Sequence, residues 1–79
     1  MGQNIPNPAN EETFIPTSTT EAGVIEIYSQ FGQLVLTQNV AANSNGVFVN
    51  TSSLSEGVYF FQMNVNGVST ETRKMTKVR

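Results

Sequence analysis

The side chains that could carry acid–base chemistry are few and of one kind. The chain has 79 residues and six carboxylates, all glutamates, with no histidine, cysteine or aspartate. The adjacent pair Glu11-Glu12 would point to opposite faces of a strand, whereas glycoside hydrolysis needs two carboxylates that converge across a cleft. Hydroxyl groups are plentiful but lack a histidine to activate them, which leaves only a serine–lysine arrangement formally open. The sequence therefore predicts a protein without catalytic residues.

Sites for metals, cofactors and nucleic acids are equally hard to build. The usual nitrogen and sulfur ligands are missing, and so is the Asp-x-Asp spacing of calcium loops. The glycines stand singly at expected turns and form no phosphate-binding loop. Nucleic-acid binding would require basic residues spread along one face with aromatic residues between them. We expect no metal, cofactor, small-molecule substrate or nucleic acid.

Charge is distributed very unevenly along the chain. Residues 1–72 carry a formal charge of −6, and residues 73–79 carry a charge of +4. The basic residues are Arg73, Lys74, Lys77 and Arg79. Charge gathered at one end acts on a partner from a distance, although a strand that simply ends in solubilising residues is the alternative.

The hydrophobic pattern indicates strands throughout. Short alternating runs are separated by turn residues, and no stretch holds a helical period, which is typical of an all-β sandwich. Ile25 and Ile27 should face the core, with Glu26 on the wet face between them. The two prolines of residues 5–8 restrict that segment to a sheet edge or an extended lead-in.

The first hairpin has an ambiguous register. A three-residue loop with Gly32 in the left-handed conformation would pair Ile27 with Val35. A four-residue loop would instead turn Leu34 and Leu36 inward, because a slip of one residue reverses every side chain. These two leucines could promote association if they lie outside.

The last hairpin is signalled by Asn66-Gly67, a pair that suits a two-residue turn with positive φ. This turn would pair Val65 with Val68 and, further along, Phe61 with Thr72. The richer apolar stripe should face the core and consists of Tyr59, Phe61, Met63 and Val65.

The outer face of that hairpin would then be partly apolar. The same register sets Phe60 opposite Arg73, as a possible cation–π pair, and Val58 opposite Met75. Such a strip is either covered by other elements or free to bind a partner. Met75 and Val78 are three residues apart and cannot share one face of a flat strand, so we expect a bulge or an early strand end and a projecting tail.

Four segments in order resemble one family over nearly the whole chain, from about Gln3 to Arg79. They are an Asn-Pro lead-in, a strand ending in tyrosine with a glycine four residues on, a Leu-x-x-Gly-x-Tyr segment, and a glycine turn before a basic end. The residues concerned are Asn7, Pro8, Tyr28, Gly32, Leu54, Gly57, Tyr59 and Gly67. The chain resembles the type A C-terminal sorting domain of type IX secretion. It departs from the family in having Ser29 after the tyrosine, although serine can still accept a turn hydrogen bond.

The resemblance implies a small Ig-like antiparallel β-sandwich of about seven short strands. Residues 3–79 would form the sorting domain, with Met1-Gly2 as added start residues, in a fragment of a longer Gram-negative precursor. Such a domain is an address rather than an enzyme. It passes through the periplasm, directs its cargo to the outer-membrane translocon, and is commonly removed by a sortase-like peptidase at the cell surface or outside the cell.

The basic end is the natural candidate for recognition by such a system. We expect Lys74, Lys77 and Arg79 to engage the translocon, with apolar contact from Phe60 and Met75. A projecting tail would also offer a free strand edge to which a partner strand could add.

Two other interpretations remain open on the sequence. One is an Ig-like structural or adhesive module that keeps the fold without acting as a signal. The other is a carbohydrate-binding sandwich, for which Tyr28, Phe31 and Phe60 are the candidate exposed aromatic residues.

Overall fold

The chain forms an antiparallel sandwich of two sheets. The computed structural model describes residues 1–70 and 72–78. Its seven strands are β1 (Glu12–Pro16), β2 (Gly23–Ser29), β3 (Leu34–Val40), β4 (Gly46–Asn50), β5 (Gly57–Val65), β6 (Val68–Ser69) and β7 (Arg73–Lys77). The predicted all-β class with about seven short strands is confirmed. Over these residues there is no helix that could cross a membrane.

The two sheets differ in size. β1 and β4 form a two-stranded sheet, and the five-stranded sheet runs β3-β2-β5, with both β6 and β7 paired to β5. All named strand pairs are antiparallel. Alternate side chains of both sheets meet in a core made of Ala9, Ile15, Ile25, Ile27, Val40, Val49, Tyr59, Phe61, Met63 and Met75. Ile25 and Ile27 are fully buried, as predicted.

The loop between β2 and β3 has the predicted length. Ser29 N donates to the Gln33 carbonyl oxygen at 2.8 Å, which leaves three residues in the loop, and Gly32 is left-handed with φ 85°. The Ser29 hydroxyl also accepts hydrogen bonds from the backbone N–H groups of Phe31 at 3.2 Å and Gln33 at 3.3 Å. Serine therefore supports this turn, as expected for a side chain that competes for local backbone donors.

The register beyond this loop is not the one that its length suggests. Tyr28 pairs with Leu34, but Ile27 pairs with Leu36, so Val35 is an extra residue in a β-bulge. The predicted pairing of Ile27 with Val35 is therefore wrong, because the bulge shifts β3 by one residue. Leu36 packs on the core, while Leu34 remains 52% exposed.

The last hairpin follows the prediction only near its turn. Val65 pairs with Val68, as expected, and Asn66 and Gly67 have φ 53° and 82°. After β6 the register slips by one residue, so Phe61 lies opposite Arg73 rather than Thr72. Every later side chain of β7 therefore faces the side opposite to the predicted one.

This slip corrects two expectations about the outer face. Phe60 lies opposite Lys74, not Arg73, so the predicted Phe60–Arg73 pair is wrong. Val58 lies opposite Thr76, and Met75 is fully buried in the core instead of lying outside. The slip thus turns the apolar side chain of β7 inward.

The lead-in joins one edge of each sheet. Ile5 and Phe14 exchange two backbone hydrogen bonds of 2.7 Å, which extends the small sheet beyond β1. Ala9 N donates to the Thr76 carbonyl oxygen at 2.7 Å, and Val78 N donates to the Ala9 carbonyl oxygen at 2.8 Å. We call this side of the sandwich, closed by residues 3–9, the sealed side.

Candidate partner-binding surface

The five residues predicted to contact a partner do not form one surface. Lys74 is exposed and Phe60 is half-buried, and both lie on the outer face of the five-stranded sheet. Met75 is fully buried, and Lys77 is only 7% exposed. Arg79 lies outside the described residues. β7 is therefore paired within the sheet over its whole length, as far as Lys77, and the prediction that this segment projects is wrong.

Lys77 is buried because it lies two residues after Met75 and therefore points to the same inward side of β7, whereas Lys74 points outward. It lines a groove of about 600 Å³ at one end of the sandwich, together with Glu11, Leu54 and Glu56. A lysine can bury its aliphatic stem against apolar surface while the ammonium group stays near water. The side chain therefore contributes packing as well as charge.

The edge of β7 is already occupied. Beyond the two bonds to Ala9, the Asn7 Oδ1 accepts from Thr76 N at 3.1 Å, and Gln3 Nε2 donates to the Lys74 carbonyl oxygen at 2.7 Å. The predicted free edge on this strand is therefore wrong for the described residues, because the lead-in supplies the missing hydrogen-bond partners.

The register instead assembles a different surface across four strands. Lys74 on β7 lies opposite Phe60 on β5, Phe60 opposite Tyr28 on β2, and Tyr28 opposite Leu34 on β3. We call these four residues the outer row. Strands lie about 4.8 Å apart, so the row spans roughly 14 Å. It begins with an exposed cation and ends with an exposed leucine.

Sequence reasoning found only part of this row. Charge and the outer face of the last hairpin predict Lys74 and Phe60 as contacts, and Tyr28 is a candidate as an exposed aromatic residue for binding sugars. Leu34 was missed as their neighbour because its position depends on the bulge at Val35. A signal was available in the sequence, since the run Leu34-Val35-Leu36 must place apolar side chains on both faces of a regular strand.

The family-like motif residues mostly shape turns and hold segments together. The Tyr59 hydroxyl donates to the Ser55 carbonyl oxygen at 2.7 Å, which ties β5 to the loop before it. Gly57 and Gly67 have φ 150° and 82°, which favours glycine there. Asn7 binds β7 as described above. Within the described residues no group of three or more His, Cys, Asp or Glu side chains could hold a metal.

These features define a small antiparallel β-sandwich module in which the lead-in clamps the basic strand. The family model for the secretion system C-terminal sorting domain matches residues 4–78. The chain belongs to this family, the sorting domains of type IX secretion. A search of curated proteins gives no significant match.

Membership in this family fixes the general role. The domain is a sorting signal for type IX secretion, so it interacts with the machinery of that system. The precursor that carries it is exported to the cell surface or the extracellular space.

Proposed function

We propose that the outer-membrane translocon recognises this domain through the outer row, with Lys74 and Phe60 as the main contacts. The domain is non-catalytic and accompanies its cargo through the periplasm, and a sortase-like peptidase then removes it. The observation that carries the proposal is the register that sets Phe60 between Lys74 and Tyr28. It provides an aromatic centre with a cation at its rim, the arrangement typical of interface hot spots.

Electrostatics supports an orienting role for Lys74. Its side chain is exposed, whereas Arg73 is half-buried with its Nε donating to the Met1 carbonyl oxygen at 3.1 Å, and Lys77 is buried. Every charged side chain in residues 1–72 is acidic. A negative patch on the translocon would therefore attract the β7 side of the domain and repel the remainder. Lys74 would then set the docking orientation.

Met75 and Lys77 take an indirect part in this proposal. They anchor β7 from the inside, through a fully buried thioether and a buried lysine stem. Arg79 remains a proposed contact by its position after β7. On this proposal, loss of the Lys74 ammonium removes a contact, whereas loss of the Lys77 ammonium leaves the contacting surface intact.

The proposal is tested by exporting a reporter fused to this domain in a host with type IX secretion. We expect K74A to reduce export several-fold and the double variant F60A/K74A to reduce it by tenfold or more, as for loss of about 1.4 kcal/mol or more of binding. The matched control is K77M, which removes the same charge but retains a buried apolar stem, and it should export like the parent.

Melting curves of the purified domains separate recognition from folding. F60A/K74A must remain folded at the assay temperature for the export result to count. A folded double variant that is exported like the parent would refute the role of the outer row, whereas a parent fusion that is not exported would favour the structural or adhesive module.

Removal by a peptidase is tested on the same reporter. The exported product should have lost the mass of this domain, with the cut upstream of the lead-in. A surface-exposed or released reporter that retains the intact domain would contradict this part of the proposal while leaving the role of the outer row unaffected.

A further inference from the structure

The edge of the five-stranded sheet at β3 differs from the edge at β7. β3 ends the sheet, and within residues 1–70 and 72–78 it pairs with β2 and with no other strand. Its outward backbone groups therefore form an open edge, which can template pairing with another strand. We call Leu34–Val40 the open edge.

The open edge has little of the protection that natural edges show. Leu34–Val40 has neither a charged residue nor a proline, the two common devices against edge pairing. The one device present is the bulge at Val35, which leaves Leu36–Val40 as a regular edge. Exposed apolar side chains lie at its first two residues and in the loop before it, with Leu34 52%, Val35 40% and Phe31 82% exposed.

We propose that the open edge pairs antiparallel with the open edge of a second copy, which joins the two large sheets across a two-fold axis. An antiparallel pair of identical strands is self-complementary by symmetry, and this uncharged strand brings no like charges together. The acidic residue on the neighbouring strand β2 is Glu26, opposite Thr37. The two Glu26 residues would lie at least three strand spacings, or about 14 Å, apart, which exceeds the Debye length of about 8 Å in physiological salt.

The sealed side limits this association to two copies. The other edge of the same sheet is covered along β7 by Ala9, through its hydrogen bonds to Thr76 and Val78, so among the described residues the dimer leaves at that edge the two-residue β6, which is too short to pair a further copy. A single strand pair buries less than the roughly 1,200 Å² of a stable interface, so the dimer is weak and reversible. The inference does not depend on the sorting function.

The test is sedimentation velocity of the isolated folded domain from about 10 μM to about 1 mM, the range in which weak dimers form. The sedimentation coefficient of the parent should rise from the monomer to the dimer value. In T37K the new ammonium group lies opposite Glu26 within one copy, which preserves folding, while two copies bring like charges onto one short strand pair. The dissociation constant should increase by about tenfold or more.

The matched control is S53K, which adds the same charge at an exposed loop residue outside β3. It should dimerise like the parent. Amide NMR shifts followed over the same concentrations should change at the open edge and remain constant along β7.

Several outcomes would overturn the inference. A monomer at every concentration excludes self-pairing and leaves the edge to a strand of another protein. A dimer that T37K and S53K weaken equally would place the interface elsewhere, and assemblies that grow beyond two copies would contradict closure by the sealed side.

Discussion

The two sides of this sandwich differ in whether a neighbouring segment covers the backbone of the edge strand. On the sealed side, residues 3–9 bond to both β1 and β7 and hide the backbone of the basic strand. On the other side, β3 ends its sheet without a covering segment in the described part of the chain. A strand edge can be closed by local chain or left to a partner, and here the closed edge is the one beside the charged residues.

The buried polar side chains also distinguish the two sides. The sealed side contains Asn4, Thr13 and Thr51, all buried and all hydrogen-bonded. In the described residues, no buried side-chain nitrogen or oxygen lacks a partner. Because such groups cost most when one partner is removed, equal substitutions should destabilise the sealed side more than the open edge.

The largest contrast is expected from truncating an apolar side chain on each side. M75A removes a fully buried side chain from β7 and should lower the free energy of unfolding by about 2–5 kcal/mol. V35A truncates a side chain that is 40% exposed and should cost less than about 1 kcal/mol. Urea denaturation of both variants measures the difference. Similar losses would mean that β7 is not the better-packed strand.

The position of Met75 also shows how far the sequence can be used. The Asn66-Gly67 turn, its first pairs and the inward stripe of β5 follow from local rules and are correct. One extra residue between Ser69 and Arg73 then reverses β7. No residue type in this segment marks the extra residue, and the register is selected by distant contacts, the packing of Met75 against the core and the bonds from Ala9 to β7.

The outer row and the sealed side both depend on contacts between residues that are distant in sequence. The prolines of the lead-in correctly predict an edge position, but the choice of β1 and β7 as its partners depends on contacts distant in sequence. Leu34 joins Tyr28 for a similar reason, since the bulge at Val35 is favoured by the burial of Leu36. Turns are local and predictable, whereas the register of paired strands is decided by the whole core.

A smaller contrast is expected from removing an amide on each side. Asn4 Nδ2 donates to the Pro6 carbonyl oxygen at 2.9 Å and to Thr13 Oγ1 at 3.0 Å, and Asn4 is 2% exposed. N4A should therefore cost about 1–3 kcal/mol. N39A on the exposed surface of β3 is the matched control and should stay within about 0.5 kcal/mol of the parent. Chemical denaturation measures the free energy of unfolding of both variants. An N4A variant as stable as the parent would show that Asn4 does not hold the lead-in.

The smallest contrast comes from exchanging one hydroxyl for a methyl group. Thr51 is fully buried, and its hydroxyl donates to the Asn10 carbonyl oxygen at 2.8 Å. T51V keeps the shape of the side chain and loses that bond, so it should cost about 0.5–1.5 kcal/mol. T37V on the exposed face of β3 loses no protein hydrogen bond in the described structure and should change stability by less than about 0.5 kcal/mol.

Both valine variants must be compared at low protein concentration, because T37V makes the open edge more apolar and would favour its pairing. Under that condition thermal unfolding reports each monomer alone. If T51V melts like T37V, the bond to Asn10 adds nothing to the sealed side, and its stability rests on the backbone bonds of Ala9 and on the packing of Met75. If T51V alone is destabilised, side-chain hydrogen bonds help to hold the chain where the lead-in ends at Asn10, and the contrast between the two sides extends to single hydroxyl groups.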